Sequence, residues 1–180
     1  MRISILLFAL VFLLFEGNAQ EKKSTHKGRI SFEASIPTFE DIKAVNEATS
    51  CILNLDNGEI TSLAIVKEFC FKLALMKEHF NSNYLESTQY PKAQFKGKII
   101  GFNWNIIGDK SMEFKLIGKL ELHGKTKKIE TIAHLKKIDN ALEMTTDFNI
   151  DSSDFNIVIP AIISSKISKI ISIKTMFLLN

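Results

Sequence analysis

Apolar and polar side chains alternate along most of this chain, with the period of two that sets one face of a β-strand against a core and the other in water. In the run GRISFEASI the apolar positions are Ile30, Phe32, Ala34 and Ile36, with Ser31, Glu33 and Ser35 between them. KAQFKGKI repeats the arrangement, with Ala93, Phe95, Gly97 and Ile99 set against Gln94, Lys96 and Lys98. Between 112 and 122, Met112, Phe114, Leu116, Gly118, Leu120 and Leu122 oppose Glu113, Lys115, Lys119 and Glu121. Ile129, Thr131, Ala133 and Leu135 form the next face, followed by Leu142, Met144, Thr146, Phe148 and Ile150. The last face holds Ile167, Ile171, Ile173 and Phe177, interrupted by Lys169 and Thr175. A hairpin over 47–71 turns at Asn57-Gly58, the strongest short hairpin signal, and a two-residue loop there sets Cys51 opposite Ala64. Counting both of its arms, the chain carries eight candidate strands.

Polar turns at 108–111, at His123-Gly124-Lys125-Thr126 and at Asp139-Asn140 separate these runs, a spacing that suits an antiparallel meander. One segment departs from it. Leu73, Met76, Phe80 and Tyr84 recur every three to four residues, which predicts a short helix over about 74–86, ending before Pro91. Residues 151–165, DSSDFNIVIPAIISS, are apolar but irregular, and Pro160 makes them an edge or loop that closes one end. Antiparallel strands with one apolar face close most naturally into a small barrel, because closure removes both unpaired edges. The predicted fold is therefore all-β, a closed antiparallel eight-stranded barrel with one short α-helix. Such barrels fill their interior with side chains or hold one small ligand, and an interior rich in Phe and Ile would take an apolar one. Alternation also allows the reverse facing, with Phe and Leu against lipid. That arrangement needs aromatic girdles, for which 2 Tyr and 1 Trp are too few.

The first residues follow another pattern. After Arg2, the stretch from Ile3 to Phe15 is apolar except for Ser4, and Gly17 and Ala19 follow. As a helix it spans about 20 Å, short of a hydrocarbon core of about 30 Å. Residues 1–19 thus read as a cleaved secretory signal, 20–26 as a flexible segment and 27–180 as the barrel domain. The 180 residues, 46% hydrophobic, suffice for one core without a disulfide or metal staple. A net charge of +3 is spread without long basic runs, which gives no footprint for nucleic acid.

Export would permit a bridge between Cys51 and Cys70. On the hairpin register, however, the two stand about 20 Å apart, beyond the roughly 7 Å that a disulfide spans, so two buried thiols are expected. His26, His79, His123 and His134 show no metal-ligand spacing, and phosphate loops and nucleophile elbows are missing. The expectation is a binding domain without cofactor or metal, and no enzyme. Catalysis would need a polar cluster gathered by folding, for instance His79 near Glu78 and Glu86.

Three runs resemble elements of the YceI-like family. LMKEHFNSNYLESTQYPKAQFKGKI, 75–99, is similar to its short helix followed by Leu, Ser, an aromatic-Pro pair and a strand opening with Phe. IGKLELHGKTKKI, 117–129, resembles its Gly-x-Leu-x-Leu-x-Gly-x-Thr-Lys element, and DFNIVIPAIISSKISKIISI its closing Asp-aromatic-x-Ile stretch and last strand. The resemblance covers nearly all of 27–178. It implies a lipocalin-like barrel, a periplasmic or secreted location and an isoprenoid or other lipid ligand in the interior. A homodimer and transient membrane contact for lipid exchange go with it. The chain departs from the pattern in three places: the first strand begins only at about His26, Asn156 stands where many relatives have Gly, and the Arg often found before it is missing around Asp151.

The lining positions expected for such a ligand are Phe32, Ala34 and Ile36 of the first strand, with Phe95 and Ile99. Phe114, Leu116 and Leu120 follow, then Met144 and Phe148, and last Ile171 and Ile173. Two functions stand side by side: an exported lipid-binding protein that stores or transports a long apolar chain, and a structural or interaction module with a filled barrel. A cavity separates the two.

Overall fold

In the computed structural model, which describes residues 21–37, 39 and 41–180, the alternating runs become a sheet closed on itself. The stretch 1–19 lies outside the described residues. The strands are β1 (Lys22–Ser35), β2 (Lys43–Asn54), β3 (Glu59–Ile65), β4 (Cys70–Phe71), β5 (Lys92–Ile99), β6 (Met112–Leu122), β7 (Lys125–Ile138), β8 (Ala141–Asp151) and β9 (Ile167–Leu179). They pair antiparallel in the order β1-β9-β8-β7-β6-β5-β3-β2, and β2 pairs back to β1. Eight strands thus form the ring, and the two-residue β4 adds a rung to β2 through Ala44↔Phe71 and Val45↔Cys70. Every pairing of the ring lies within residues 22–179.

The first strand starts earlier than its alternation suggests. Lys22 pairs with Asn54 and Thr25 with Cys51, so 22–26 belong to β1 instead of forming a flexible segment, and the strand is not cut short at His26. Its polar start is held by main-chain bonds rather than by apolar burial: Ser24 and Asn180 exchange N–H···O bonds of 3.0 and 3.1 Å, and Leu55 N donates to Glu21 O at 2.8 Å.

The hairpin expected at Asn57-Gly58 turns there, but through a four-residue loop, and Cys51 faces Ser62 instead of Ala64. A two-residue type I′ turn requires φ > 0 at both central residues. Only Gly58 has it, at +72°. Side-chain bonds favour the wider loop: Asn54 Oδ1 accepts from Asp56 N at 2.8 Å and Asn57 Oδ1 from Glu59 N at 2.9 Å. A two-residue turn with both angles positive occurs instead between β6 and β7, at His123 (+49°) and Gly124 (+69°). Both thiols are free. Burial pushes the Cys51 thiol up to about 12, whereas Cys70 is exposed, contrary to the expectation of two buried thiols, because its neighbour Phe71 on β4 turns inward and Cys70 therefore turns out.

Near its start β2 leaves β3, whose ladder stops at Ser50↔Leu63. Fully buried Asn46 bridges the gap: its Nδ2 donates to Ile65 O (3.1 Å) and its Oδ1 accepts from Ala48 N (2.9 Å). This fixes the bulge by which Gly28↔Thr49 gives way to Ile30↔Asn46 in the β1–β2 pair.

Apolar positions face inward and Lys and Glu outward, the reverse of a membrane-spanning barrel. On the outside, Glu130 of β7 lies between Lys128 and Lys115, the latter at 2.9 Å. Hydrogen bonds from Lys128 and then Lys115 hold its carboxyl down at about 2. With the folded value below the ordinary carboxylate range near 4.3, its stabilising contribution is complete above that range and disappears as pH falls through about 2. The stability gap between parent and Glu130→Gln, measured by urea unfolding against pH, is expected to be widest above pH ~4.3 and to close towards pH 2, shrinking with added salt because the group is exposed.

Gly97 and Gly118 face each other across β5 and β6. A Cβ on Gly118 would stand 2.4 Å from Phe95 Cζ and 2.5 Å from the Lys96 carbonyl oxygen, so the bare pair makes room for the Phe95 ring. Gly118→Ala is expected to cost about 1–3 kcal/mol in urea unfolding, the usual range for overpacking. Unchanged stability would mean that the ring moves aside freely.

Candidate functional site

The same inward faces meet two different environments along the barrel axis. At one end lie the 55–58 loop, the 100–111 connection and the 139–140 turn, and there the interior is packed solid. Phe114 and Leu116 of β6, Leu142 and Met144 of β8, and Phe177 and Leu179 of β9 are buried. Ile107 from the 100–111 connection enters this core as a plug, 3% exposed. The plug is pinned by Lys137 N donating to Gly108 O at 2.6 Å and by Trp104, whose ring has Lys137 Nζ at 4.0 Å and Lys23 Nζ at 5.3 Å from its centroid.

Towards the other end the inward side chains stop touching. Leu120 and Leu122 of β6, Phe148 of β8 and Ile171 and Ile173 of β9 point inward yet remain half-exposed, because they border an open space. That space is a cavity of about 350 Å³. Two segments cap it. One is the connection after β4, with helix α1 (Ala74–His79) and a wider turn over Phe80–Tyr84 closed by Leu85 N to Phe80 O at 2.9 Å. The other is the strap 152–166 between β8 and β9.

Aromatic rings fasten the first cap. Phe80 stacks on Phe32 (centroids 5.4 Å, 22°) and tilts against Phe71 and Phe69 at 5.0 and 5.8 Å. The helical spacing therefore has a purpose: Met76, Phe80 and Tyr84 look into the cavity while Leu73 and Leu75 look out. The strap follows the same rule, with Ile157, Ile159 and Ile163 turned to the cavity.

Nine of the twelve expected lining residues border this space: Phe32, Ala34, Phe95, Leu116, Leu120, Met144, Phe148, Ile171 and Ile173. Three do not. Ile99 and Phe114 lie in the plugged end, at 0% and 9% exposure, because alternation assigns a face but not a height along the axis. Ile36 lies beyond the end of β1, whose register against β9 shifts between Glu33 and Ser35, so the alternation that placed it inward has lapsed. Sequence reasoning missed Phe69, Met76, Phe80, Ile157, Ile159 and Ile163. For Met76 and Phe80 the helical spacing over 73–84 carried that signal, and for Ile157, Ile159 and Ile163 the apolar but irregular run 151–165 did.

The polar atoms of the wall are largely engaged. Thr146 and Thr175 share a hydrogen bond of 2.9 Å, and Thr131 Oγ1 donates to Asp147 O at 3.1 Å. Glu86 does not join His79; it meets His123 instead. His123 Nδ1 donates to the Phe155 carbonyl at 2.9 Å, its Nε2 bonds Glu86 Oε2 at 2.8 Å, and Tyr90 packs edge-on at 4.6 Å. One imidazole thus ties the hairpin turn to the roots of both caps. Asn156, where a glycine was noted as common, takes φ +57°, a left-handed position that Asn tolerates better than most residues. Next to it, Asp151 accepts from Ser153 Oγ and N at 2.6 and 2.8 Å, bonds that lower its carboxyl pKa and secure the start of the strap.

Fold and cavity define a class: a lipocalin-like β-barrel, plugged at one end, with an apolar chamber at the other. The chain belongs to the YceI-like domain family, whose profile matches residues 14–177. Among solved structures it is similar to a polyisoprenoid binding domain from Saccharophagus degradans implicated in plant cell wall breakdown, with 13% identity, 88% of this chain and 97% of that one covered, and a TM-score of 0.76. It is also similar to Burkholderia cenocepacia BcnA (16% identity, 86% and 96% covered, TM-score 0.71) and to the Campylobacter jejuni YCEI protein (14%, 79% and 88%, 0.58). Identities this low show a shared fold. No curated protein matches the chain in sequence.

Losing the imidazole clamp should loosen the caps and leave the ring intact. His123→Asn keeps a residue suited to the left-handed turn but cannot span both partners. Amide exchange at 86–90 and 153–157 is expected to rise about tenfold, the equivalent of one or two lost hydrogen bonds, with β6–β8 unaffected. Parent-like exchange at both segments would show that the ring holds neither.

Proposed function

We propose that this chain is a lipid-binding protein that holds a long apolar chain, a polyisoprenoid or a similar lipid, in the open half of its barrel. The observation that carries the reading is the cavity of about 350 Å³, walled by Phe, Ile and Leu side chains that find no protein partner across it. At roughly 10–15 Å³ of such volume per water-sized group, it accepts on the order of two to three dozen groups. That suits one extended hydrocarbon chain. The similarity to a polyisoprenoid binding domain supports the same ligand class. A filled interaction module accounts for the plugged end alone.

Energetics favour exchange over permanent capture. Thirty methylenes at about 0.8 kcal/mol each would give about 25 kcal/mol against water, above the ceiling near 20 observed for non-covalent complexes. The chain's alternative home is a bilayer of equal apolarity, so movement between the two is close to neutral. Storage or transport, export to the periplasm or the medium, a homodimer and transient membrane contact complete the proposal. They rest on the family resemblance and on the apolar stretch Ile3–Phe15.

The test is native mass spectrometry of the purified protein before and after organic extraction. A stoichiometric isoprenoid or fatty chain is the expected result, and a protein that is empty and takes up no added lipid would overturn the reading. Ala93→Trp, which fills part of the cavity, should bind a shorter chain or less of it with the fold retained. Phe114→Asp should instead unfold the protein, since it buries a charge in the plugged end.

A further inference from the structure

Just above the packed end, the apolar wall of the chamber is interrupted by hydroxyl groups. Inward positions come every second residue along a strand, so each has one neighbour nearer the plug and one nearer the mouth. Thr146 of β8 stands next above Met144, and its partner Thr175 of β9 stands next above Phe177. In the same way Ser62 of β3 follows Ile60, and Thr131 of β7 lies above Ala133. The four supporting residues belong to the packed core, and the four hydroxyl residues border the cavity. One step further up the wall is apolar again, with Ala64, Ile129, Phe148 and Ile173. The chamber therefore has an apolar floor, a collar of hydroxyls and an apolar sleeve above it.

The collar holds more donors than the protein uses. Each hydroxyl has one proton to donate and two sites that accept. Thr131 donates its proton to the Asp147 carbonyl. Thr146 and Thr175 bond each other at 2.9 Å, which engages one of their two protons. Neither has a second side-chain partner among the described residues, and Ser62, on the strand opposite β8 in the ring, forms no side-chain hydrogen bond among them. Thr146 is 5% exposed and Ser62 9%, so the spare protons are withdrawn from bulk water and have the cavity to turn to. A buried donor without an acceptor is costly, and an acceptor inside the chamber removes that cost.

We infer that the collar is a subsite for a neutral carbonyl oxygen at the buried end of the guest, which accepts the spare proton of the Thr146–Thr175 pair, with Ser62 as a second donor on the opposite wall. This rests on the proposed lipid-binding function and specifies the class of lipid: a long apolar chain that ends in a ketone, aldehyde or ester group rather than a plain hydrocarbon or an ionised head. Charge decides between the last two. Among the described residues, no Lys, Arg, Asp or Glu borders the cavity, and its titratable side chains, His79 and Tyr84, belong to the cap segment at the mouth. A carboxylate or phosphate brought down to the collar would lose its hydration and meet no counter-charge, whereas a neutral oxygen needs only the donor that is there. The plug closes the far end, so the carbonyl end enters first. A few placed polar groups in an otherwise apolar pocket fix the orientation of a ligand, and here they would set which end of the chain is hidden.

The experiment offers the purified protein, from detergent micelles, an n-alkane of about twenty carbons, a methyl ketone of the same length and a ketone with its carbonyl at mid-chain, and counts the bound species by native mass spectrometry. The parent is expected to load the methyl ketone about fivefold to tenfold over either competitor, the worth of one neutral hydrogen bond. The carbonyl stretch of the bound ketone should lie below its position in alkane solvent. Thr146→Val combined with Thr175→Val keeps the shape of both side chains and removes both hydroxyls. This variant should take up the alkane at the parent level, lose the preference for the ketone and return the stretch to its position in alkane. Equal loading of alkane and ketones by the parent, with an unshifted stretch, would overturn the subsite, assign the collar to ordered water and leave the lipid-binding function standing. A preference that survives in the double valine variant would overturn it as well. A parent that takes up none of these chains would instead overturn the lipid-binding function itself.

Discussion

Ring closure between β1 and β2 is the constraint from which the remaining features follow. Once the eight strands pair edge to edge, the radius of the interior is set by strand number and tilt rather than by the side chains inside. Side chains must then fill whatever space this leaves. Near the plug they do, because Phe114, Met144, Phe177 and Leu179 meet across the axis and Ile107 enters from outside the ring. Higher up, the residues beside those, Ile173, Phe148 and Leu120, cannot reach one another, and the wall stays uncovered.

Closure also explains the caps. An open ring end exposes apolar wall to water, and the chain answers with two segments that are not strands. Each has to be held in place without a ladder of main-chain bonds. The connection after β4 relies on the Phe32, Phe69, Phe71 and Phe80 rings, and the strap relies on Asp151 at its start and His123 beside it. These are side-chain attachments, independent of the ring, and an element held in this way can open without breaking the sheet.

The architecture was legible because alternation is a local property. Strand count, antiparallel order and inward faces follow from positions such as Phe114, Leu116 and Leu120, which name their own face whatever surrounds them. Quantities that depend on distant partners were less legible. Ile99 and Phe114 carry the same signal as Phe95 and Leu120, and only their height in the barrel makes one pair core and the other cavity wall. The polar start of β1 was hidden because main-chain bonds to Asn54 and Asn180 do not need apolar side chains. At Asn57-Gly58, local bonds from Asn54 and Asn57 decided the loop length, which shifted the register by two residues and left every face unchanged. One cap was legible from its helical spacing and the strap as an apolar run without a period, but their contacts were not.

The plug at the blind end of the barrel makes the chamber a sleeve rather than a tube. Under the proposed function, a guest inside it has one direction of entry, and its leading end comes to rest on a floor made by Leu116, Met144 and Phe177. Its trailing end stands at the rim whatever its chemistry. Such a sleeve works as a depth gauge, in which the height of the floor sets how many carbons are hidden and the rest protrude where other molecules can reach them. Selectivity for length then resides in residues that a reader of the rim would never inspect.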